Sequence, residues 1–158
     1  MHMASNKKPR NKAYRPRWNG DGIKLRAQPW KVELVFRPMY QIIDQLINEG
    51  TVDQAPDGAA VFRDPKDGHL YETYSAISGV IGAYEIHECR QGRNLNMEPL
   101  RLVINRLHYG MLIDGADVIA ARQALDRMRA ETLQMTVDYA DSLLRDFRIS
   151  ELVEREAA

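Results

Sequence analysis

The stretch Ser75–Glu88, SAISGVIGAYEIHE, decides the fold because it leaves almost no polar face. A segment that is apolar nearly all round lies inside a protein. The residues that fall at helical spacing are Ile77, Val80, Ile81 and Tyr84. This spacing favours a buried helix with Ser75 as its N-cap, since the serine hydroxyl can accept an amide of the first turn. A buried strand over residues 76–84 is the alternative, because Val and Ile also favour strands.

Two glycines, Gly79 and Gly82, interrupt this apolar stretch. Each costs about 1 kcal/mol relative to alanine inside a helix. A helix that tolerates both needs a close neighbour on that side. The glycines therefore predict that another backbone passes close to this face.

Apolar residues recur at helical spacing on both sides of the central stretch. They predict helices over residues 38–49, between Asn96 and Gly110, over 116–131 and over 137–147. Pro38 suits the first position of the first of these helices, and Gly50 suits its C-cap. The candidate N-caps of the later helices are Asn96, Asp114 or Asp117, and Thr136.

Strand signals lie in the N-terminal half. KVELVF, residues 31–36, alternates apolar and polar side chains, which indicates a short strand or a lead-in that packs on the core. Residues 59–63 and 69–74 are typical of a hairpin closed by the turn Asp64–Gly68, with residues 51–54 as a candidate third strand. The predicted fold class is α+β, mostly α, with about five helices and one small antiparallel β-hairpin in the N-terminal half.

The composition is that of a soluble protein. The chain has 158 residues, 44% of them hydrophobic and 28% charged, which suits one domain with one core. No apolar run approaches the roughly 18 residues of a membrane span, and no apolar signal-peptide core is visible. Cys89 is the single cysteine and cannot form an internal disulfide. We therefore expect a cytoplasmic protein that does not enter a membrane.

The net charge of zero hides an asymmetry. Residues 1–31 carry nine Lys and Arg against one acid, Asp21, and therefore +8, which leaves −8 on the rest of the chain. The predicted organisation is a basic, Pro- and Gly-containing extended or disordered arm over residues 1–30, a globular domain over 31–148 and an acidic tail over 149–158. Met1-His2 resembles a cloning scar, and residues 148–158 could instead extend the last helix.

No catalytic set is visible in the sequence, and no metal or cofactor is expected. His87, Glu88 and Cys89 are adjacent, but neighbours on a helix project about 100° apart and do not share an ion easily. The sequence also lacks a second cysteine and an HExxH pattern, which are common in metal sites. The enzyme alternative uses His87, His108 or Cys89 with a carboxylate brought near by the fold.

Two surface features remain as candidate partner sites. In the arm, aromatic residues alternate with cations, and the candidate anchors are Arg15, Arg17, Trp18 and Trp30. They suit an acidic protein surface, the chain's own or a partner's. Alternatively, they suit a nucleic acid, whose bases stack on aromatic rings while cations contact phosphates. The second candidate is the loop after the central stretch, where Arg90, Arg93 and Asn94 could dock a partner or an anion.

The segment Lys12-Ala13-Tyr14-Arg15-Pro16-Arg17 resembles the K-x-Y-R-P-[RK] opening of small uncharacterised proteins of phages, prophages and mobile elements of proteobacteria. Residues 123–129 and 136–140 are similar to the helical endings of some of these proteins. The resemblance implies a phage-encoded accessory protein that binds and inhibits a host or defence protein. The leading hypothesis is thus a non-enzymatic interaction protein, with its oligomeric state left open, a homo-oligomer included.

Overall fold

The computed structural model describes residues 22–63 and 68–157, which form five α-helices and one three-stranded antiparallel sheet. After a short 3₁₀ turn at Leu25–Ala27, the elements are α1 (Pro29–Glu49), β1 (Asp53–Gln54), β2 (Ala60–Arg63), β3 (Leu70–Glu72), α2 (Thr73–Gln91), α3 (Glu98–His108), α4 (Gly115–Leu133) and α5 (Val137–Ala157). The predicted class, α+β and mostly α with a small antiparallel sheet in the N-terminal half, is confirmed. No helix among the described residues is both long and apolar enough to cross a membrane.

The central stretch is helical, so the strand alternative is wrong. Helix α2 buries Ile77, Ile81 and Tyr84 as the helical spacing predicts. The helix starts at Thr73, three residues earlier than an N-cap at Ser75 predicts, and Ser75 lies inside its first turn. Ile77 and Ile81 are one helical turn apart, which is why periodicity identified the inner face correctly.

The two glycines of α2 lie under a side chain and not under a backbone, contrary to the expectation. A Cβ built on Gly79 would lie 3.9 Å from Cε1 of Phe147, which is an ordinary contact. A Cβ on Gly82 would overlap the same ring, with Phe147 Cδ2 at 3.0 Å and Cζ at 3.2 Å. Gly82 therefore makes room for the ring that packs α5 against α2.

Gly82→Ala should therefore lower the free energy of unfolding by about 1 kcal/mol, because overpacking costs about 1–3 kcal/mol while the better helix propensity returns about 1 kcal/mol. Gly79→Ala is the matched control and should raise it by about 1 kcal/mol, since its new methyl group meets no overlap. Urea denaturation of both variants measures the difference. If both variants gain stability, Phe147 does not pack where the structure places it.

Helix α1 is longer than the sequence predicts. Residues 31–36 are helical, so the strand prediction for KVELVF is wrong, and Pro38 lies inside the helix and not at its first position. Pro29 occupies the first turn instead. Val32 and Phe36 lie one turn apart and are both buried, so the residues read as alternating also satisfy a helical stripe. Gly50 is the left-handed C-cap, as predicted.

Residues 22–30, assigned to the arm by the sequence, include ordered structure. Leu25 is buried, and its N–H donates to the carbonyl of Met135 at 2.9 Å. The N–H of Val137 donates to the carbonyl of Ile23 at 2.9 Å, and Lys24 lies opposite Thr136 in an antiparallel bridge. The extended or disordered description is therefore wrong for residues 25–30, while residues 1–21 lie outside the described part.

The sheet has the order β1-β2-β3, with Asp53 opposite Val61 and Val61 opposite Glu72. The predicted hairpin and the candidate third strand are thus confirmed. Turn residues 64–67 of the hairpin lie outside the described part. Val61 and Phe62 are buried, and β2 and β3 contact α2, which supports a ribbon too small to be stable alone.

The caps of the later helices are partly as predicted. Asp114 accepts the N–H of Ala116 at 3.3 Å, and Thr136 accepts the N–H of Tyr139 at 3.2 Å. Asn96 is not an N-cap, because α3 starts only at Glu98. Helix α5 runs without interruption to Ala157, so residues 149–157 extend the helix, which was the alternative to a frayed tail.

The helices pack in an open ring. In the described residues α1 packs on α4, α4 on α3, α3 on α2, and α2 on α5. No comparable packing joins α5 back to α1 within this part of the chain. The ring is therefore open between its first and last helices, and this gap positions the site described below.

Candidate protein-interaction groove

An apolar cavity of about 280 Å³ lies in the gap between α1 and α5. Its lining includes Val32, Val35 and Phe36 from α1, Ala83 and Tyr84 from α2, and Ala140, Leu143 and Leu144 from α5. Ala83 of α2 and Ala140 of α5 have small side chains. The space between α1 and α5 therefore stays open where larger side chains would fill it. Val35 is 44% exposed and Leu144 is 47% exposed, so both walls reach solvent.

A second depression of about 320 Å³ continues along α1 towards the sheet. Its apolar lining includes Leu34, Val35, Pro38, Phe62 and Val80. Val35 borders both cavities, so they form one apolar surface. We call this surface, made of Leu34, Val35, Val80, Ala83, Tyr84 and Leu144, the α1–α5 groove.

The α1–α5 groove exposes large apolar side chains close together. Leu34 is 61% exposed, and it stands beside Val35 on the outer side of α1. A single exposed leucine is ordinary on a protein surface, but a continuous apolar surface is typical of an interaction site. Lys31 and Asp141, one on each helix, line the rims of the groove and give it opposite charges on its two sides.

A buried polar network holds α2, α4 and α5 together at one end of the groove. His87 is only 3% exposed, and its Nε2 lies 2.9 Å from Oε1 of Glu131. Its Nδ1 lies 2.6 Å from the hydroxyl of Tyr139. Arg93 donates to the same Glu131 oxygen at 2.8 Å. Each ring nitrogen of His87 thus has a partner from a different helix, which satisfies the polar atoms that burial would otherwise leave unpaired.

Tyr84 adds a second polar contact between α2 and α4. Its hydroxyl hydrogen-bonds to that of Thr132, which donates to the carbonyl of Met128 at 2.7 Å. Burial, together with the nearby carboxylate of Glu131, raises the pKa of Tyr84 above its ordinary value. The phenol therefore stays neutral at any physiological pH and acts as a hydrogen-bonding core residue.

The network lines an open pocket of about 370 Å³, to which Gln91, Gln134 and Thr136 also contribute. A general base needs a nitrogen within reach of the proton it removes, and both nitrogens of His87 are engaged. His108 stacks on Tyr74 with ring centroids 4.1 Å apart, and Cys89 is an exposed free thiol. These three candidate catalytic residues do not form one cluster. Among the described residues no group of three His, Cys, Asp or Glu side chains could hold a metal ion.

Of the three residues predicted in the loop after the central stretch, Arg90 lies in the last turn of α2, which ends at Gln91, and Arg93 and Asn94 lie in the loop that follows. Arg90 donates to Ser142 at 2.9 Å and pairs with Asp146, and Arg93 pairs with Glu131. Asn94 accepts the N–H of Asn96 at 2.7 Å, which shapes the loop between α2 and α3. All three side chains make contacts within the chain, and their role towards a partner stays a prediction.

The arm residues of the sequence-based site are separated from that loop. Trp30 is exposed in the first turn of α1, with Nζ of Lys31 5.4 Å from its ring centroid. Arg15, Arg17 and Trp18 lie outside the described residues. Arg90 and Arg93 thus both contact the network, through Tyr139 and Glu131, whereas Asn94 contacts Asn96 in the loop and Trp30 lies on a different helix.

Sequence reasoning missed the groove residues Leu34, Val35 and Leu144. The strand alternation over residues 31–36 and the helical spacing over 137–147 predict buried side chains at Leu34 and Leu144, yet both are exposed. One signal was present, since α1 carries more apolar residues than a single buried stripe needs. Comparison of the chain with protein-family models, with curated proteins and with solved structures finds no match.

Proposed function

We propose that this chain is a non-enzymatic interaction protein that binds an amphipathic helix of a protein partner in the α1–α5 groove. The observation that carries the proposal is the opening of the helix ring between α1 and α5, where Val35 and Leu144 are exposed and where Val35 continues the apolar surface to the exposed Leu34. A helix laid in this gap would bury its apolar stripe against both walls and complete the ring. Helix-in-groove binding of this kind relies on aliphatic and aromatic anchors at helical spacing.

The rims define the partner's chemistry further. Lys31 on α1 and Asp141 on α5 line opposite sides of the groove. A partner helix with an acidic residue beside Lys31 and a basic residue beside Asp141 would fit one orientation better than the reverse, because charge complementarity fixes register more than affinity. The identity of the partner as a host or defence protein, bound and thereby inhibited, rests on the resemblance of residues 12–17 alone.

The test is capture of a partner from nuclease-treated bacterial lysate by the full chain and by groove variants. Leu34→Asp and Leu144→Asp place a charge on an exposed wall, so they should leave the fold intact and weaken capture at least tenfold, which corresponds to about 1.4 kcal/mol. Ile119→Asp on α4 is the matched control, since Ile119 is 55% exposed and lies outside the groove. Circular dichroism verifies that all three variants are folded.

Three outcomes are distinguishable in this experiment. Loss of the captured protein with both groove variants and its retention with Ile119→Asp support the proposal. Equal capture by all variants overturns the groove as the binding site. Recovery of nucleic acid only when nuclease is omitted, with affinity that falls steeply as salt rises, would favour nucleic-acid binding instead.

A further inference from the structure

We infer that two copies of this chain associate through the C-terminal part of α5, residues 145–156, packed antiparallel about a two-fold axis. The contact surface, which we call the α5 stripe, consists of Arg145, Ile149, Leu152, Val153 and Glu156. The inference does not rest on the proposed function, because the groove residue Leu144 lies about 140° around the helix from Ile149.

The C-terminal part of α5 extends beyond the packing of the helix ring. The ring of Phe147 lies opposite Gly82, where it packs α5 against α2. Beyond Phe147, every residue from 148 to 157 is exposed except Glu151, which is half-buried. Most of the stability of a helix in a protein comes from the packing of its apolar face. We therefore expect another surface to pack on this segment.

The exposed side chains of this segment form one apolar face with a charge at each end. Ile149, Leu152 and Val153 are 53%, 57% and 60% exposed. They follow Arg145 by four, seven and eight positions, and Glu156 follows it by eleven, which is the spacing of one face of a helix. Arg145 and Glu156 are both exposed. The α5 stripe thus begins with a cation and ends with an anion.

This order of charges makes the stripe complementary to itself. A two-fold axis midway between positions 150 and 151 places each residue opposite the one equally far on the other side of the axis. Arg145 and Glu156 are both 5.5 positions from that point, and Ile149 and Leu152 are both 1.5 positions from it. Two antiparallel helices that cross at about 20° therefore form the Arg145–Glu156 contact twice and the Ile149–Leu152 contact twice.

The same charges disfavour a parallel pair. In that arrangement Arg145 would face Arg145 of the other copy, and Glu156 would face Glu156, which is unfavourable because like charges repel. Exposed ion pairs add little affinity, so the apolar side chains hold the two copies together and the charges set their direction. The contact is small compared with the roughly 1,200 Å² of a stable interface, so we expect a reversible dimer that dissociates in the micromolar range.

Sedimentation equilibrium of the full chain over a range of concentrations tests the inference. We expect the mass to rise with concentration from that of one chain towards that of two. Leu152→Asp places a charge in the centre of the contact and should weaken the dimer by about tenfold or more. Ile119→Asp on α4 is the matched control, because Ile119 is 55% exposed and lies outside α5. It should leave the association unchanged.

Charge reversal tests the antiparallel arrangement itself. Arg145→Glu alone and Glu156→Arg alone each place like charges in both end contacts, so each variant should dimerise about tenfold more weakly than the parent. An equimolar mixture of the two variants should associate as the parent does, because each glutamate of one variant then faces an arginine of the other. Circular dichroism verifies that every variant is folded.

Two kinds of result would overturn the inference. One is a parent chain that stays monomeric up to about 1 mM, since the stripe would then not bind a second copy. The other is a dimer that Leu152→Asp or the single charge reversals leave unchanged, or a mixture of the two charge variants that stays monomeric. None of these measurements involves the α1–α5 groove, so the proposed function would stand or fall separately.

Discussion

His87→Ala should lower the free energy of unfolding by about 4 kcal/mol, the largest destabilisation expected of any polar substitution in this protein. The imidazole is buried and bonded on one side to Glu131 and on the other to Tyr139. Its removal takes one hydrogen bond from the Tyr139 hydroxyl and one from the largely buried carboxylate of Glu131, which keeps Arg93 as a partner, and each lost bond costs about 1–3 kcal/mol. The empty volume adds a cavity term. Urea denaturation monitored by circular dichroism measures the change.

Arg93→Ala is the control for this prediction. It removes another partner of the same Glu131 oxygen, but the Arg93 side chain is 60% exposed, so we expect a loss of at most about 1 kcal/mol. A double-mutant cycle between His87→Ala and Tyr139→Phe should give a coupling energy well above zero, because the two groups are in contact. A His87→Ala variant within about 1 kcal/mol of the parent would show that the network does not hold the helices together.

Pro38→Ala should raise the free energy of unfolding by about 2–3 kcal/mol, the largest stabilisation expected here. Pro38 is the tenth residue of α1, where it cannot donate the hydrogen bond that the carbonyl of Leu34 would accept, and its ring crowds that carbonyl. Alanine restores the donor and has the best helix propensity. Thermal unfolding should shift upwards by about 4–10 °C for a chain of this size.

Pro29→Ala is the matched control because Pro29 lies in the first turn of the same helix. The N–H that proline lacks there has no partner within the helix, so we expect a change close to zero. The pair also tests the boundary of α1. If the helix began at Pro38, as the sequence pattern indicates, Pro38→Ala would bring no gain, and that result would contradict a continuous helix from Pro29 to Glu49.

The helices with one clear apolar stripe could be predicted, and the exceptions have physical reasons. Ile77, Ile81 and Tyr84 are buried at the spacing that identified α2. The strand prediction for KVELVF is wrong because Val32 and Phe36 are four residues apart, which is two repeats of a strand and also about one turn of a helix. Both periods therefore fit these six residues. The proline that follows then suggested a helix start where the chain in fact continues a helix.

The candidate site could not be predicted, because it depends on which helices fail to meet. Val35 and Leu144 are more than 100 residues apart in sequence, and the cavity that both line exists only because the ring stays open. The partners of His87 lie 44 and 52 residues away on two other helices. The local pattern around His87 and Cys89 suggests interactions between neighbours in sequence. The structure instead pairs His87 with Glu131 and Tyr139, which are distant in sequence.

The most direct test of the α1–α5 groove as the interaction site is site-specific photo-crosslinking of the full chain in bacterial lysate. A photoreactive residue replaces Leu34 or Leu144 in the groove, or Ile119 outside it. We predict that the first two positions crosslink the same protein, through a segment whose apolar residues recur at helical spacing, and that Ile119 yields none of it. Crosslinks of that protein from Ile119, with none from Leu34 or Leu144, would contradict the proposal.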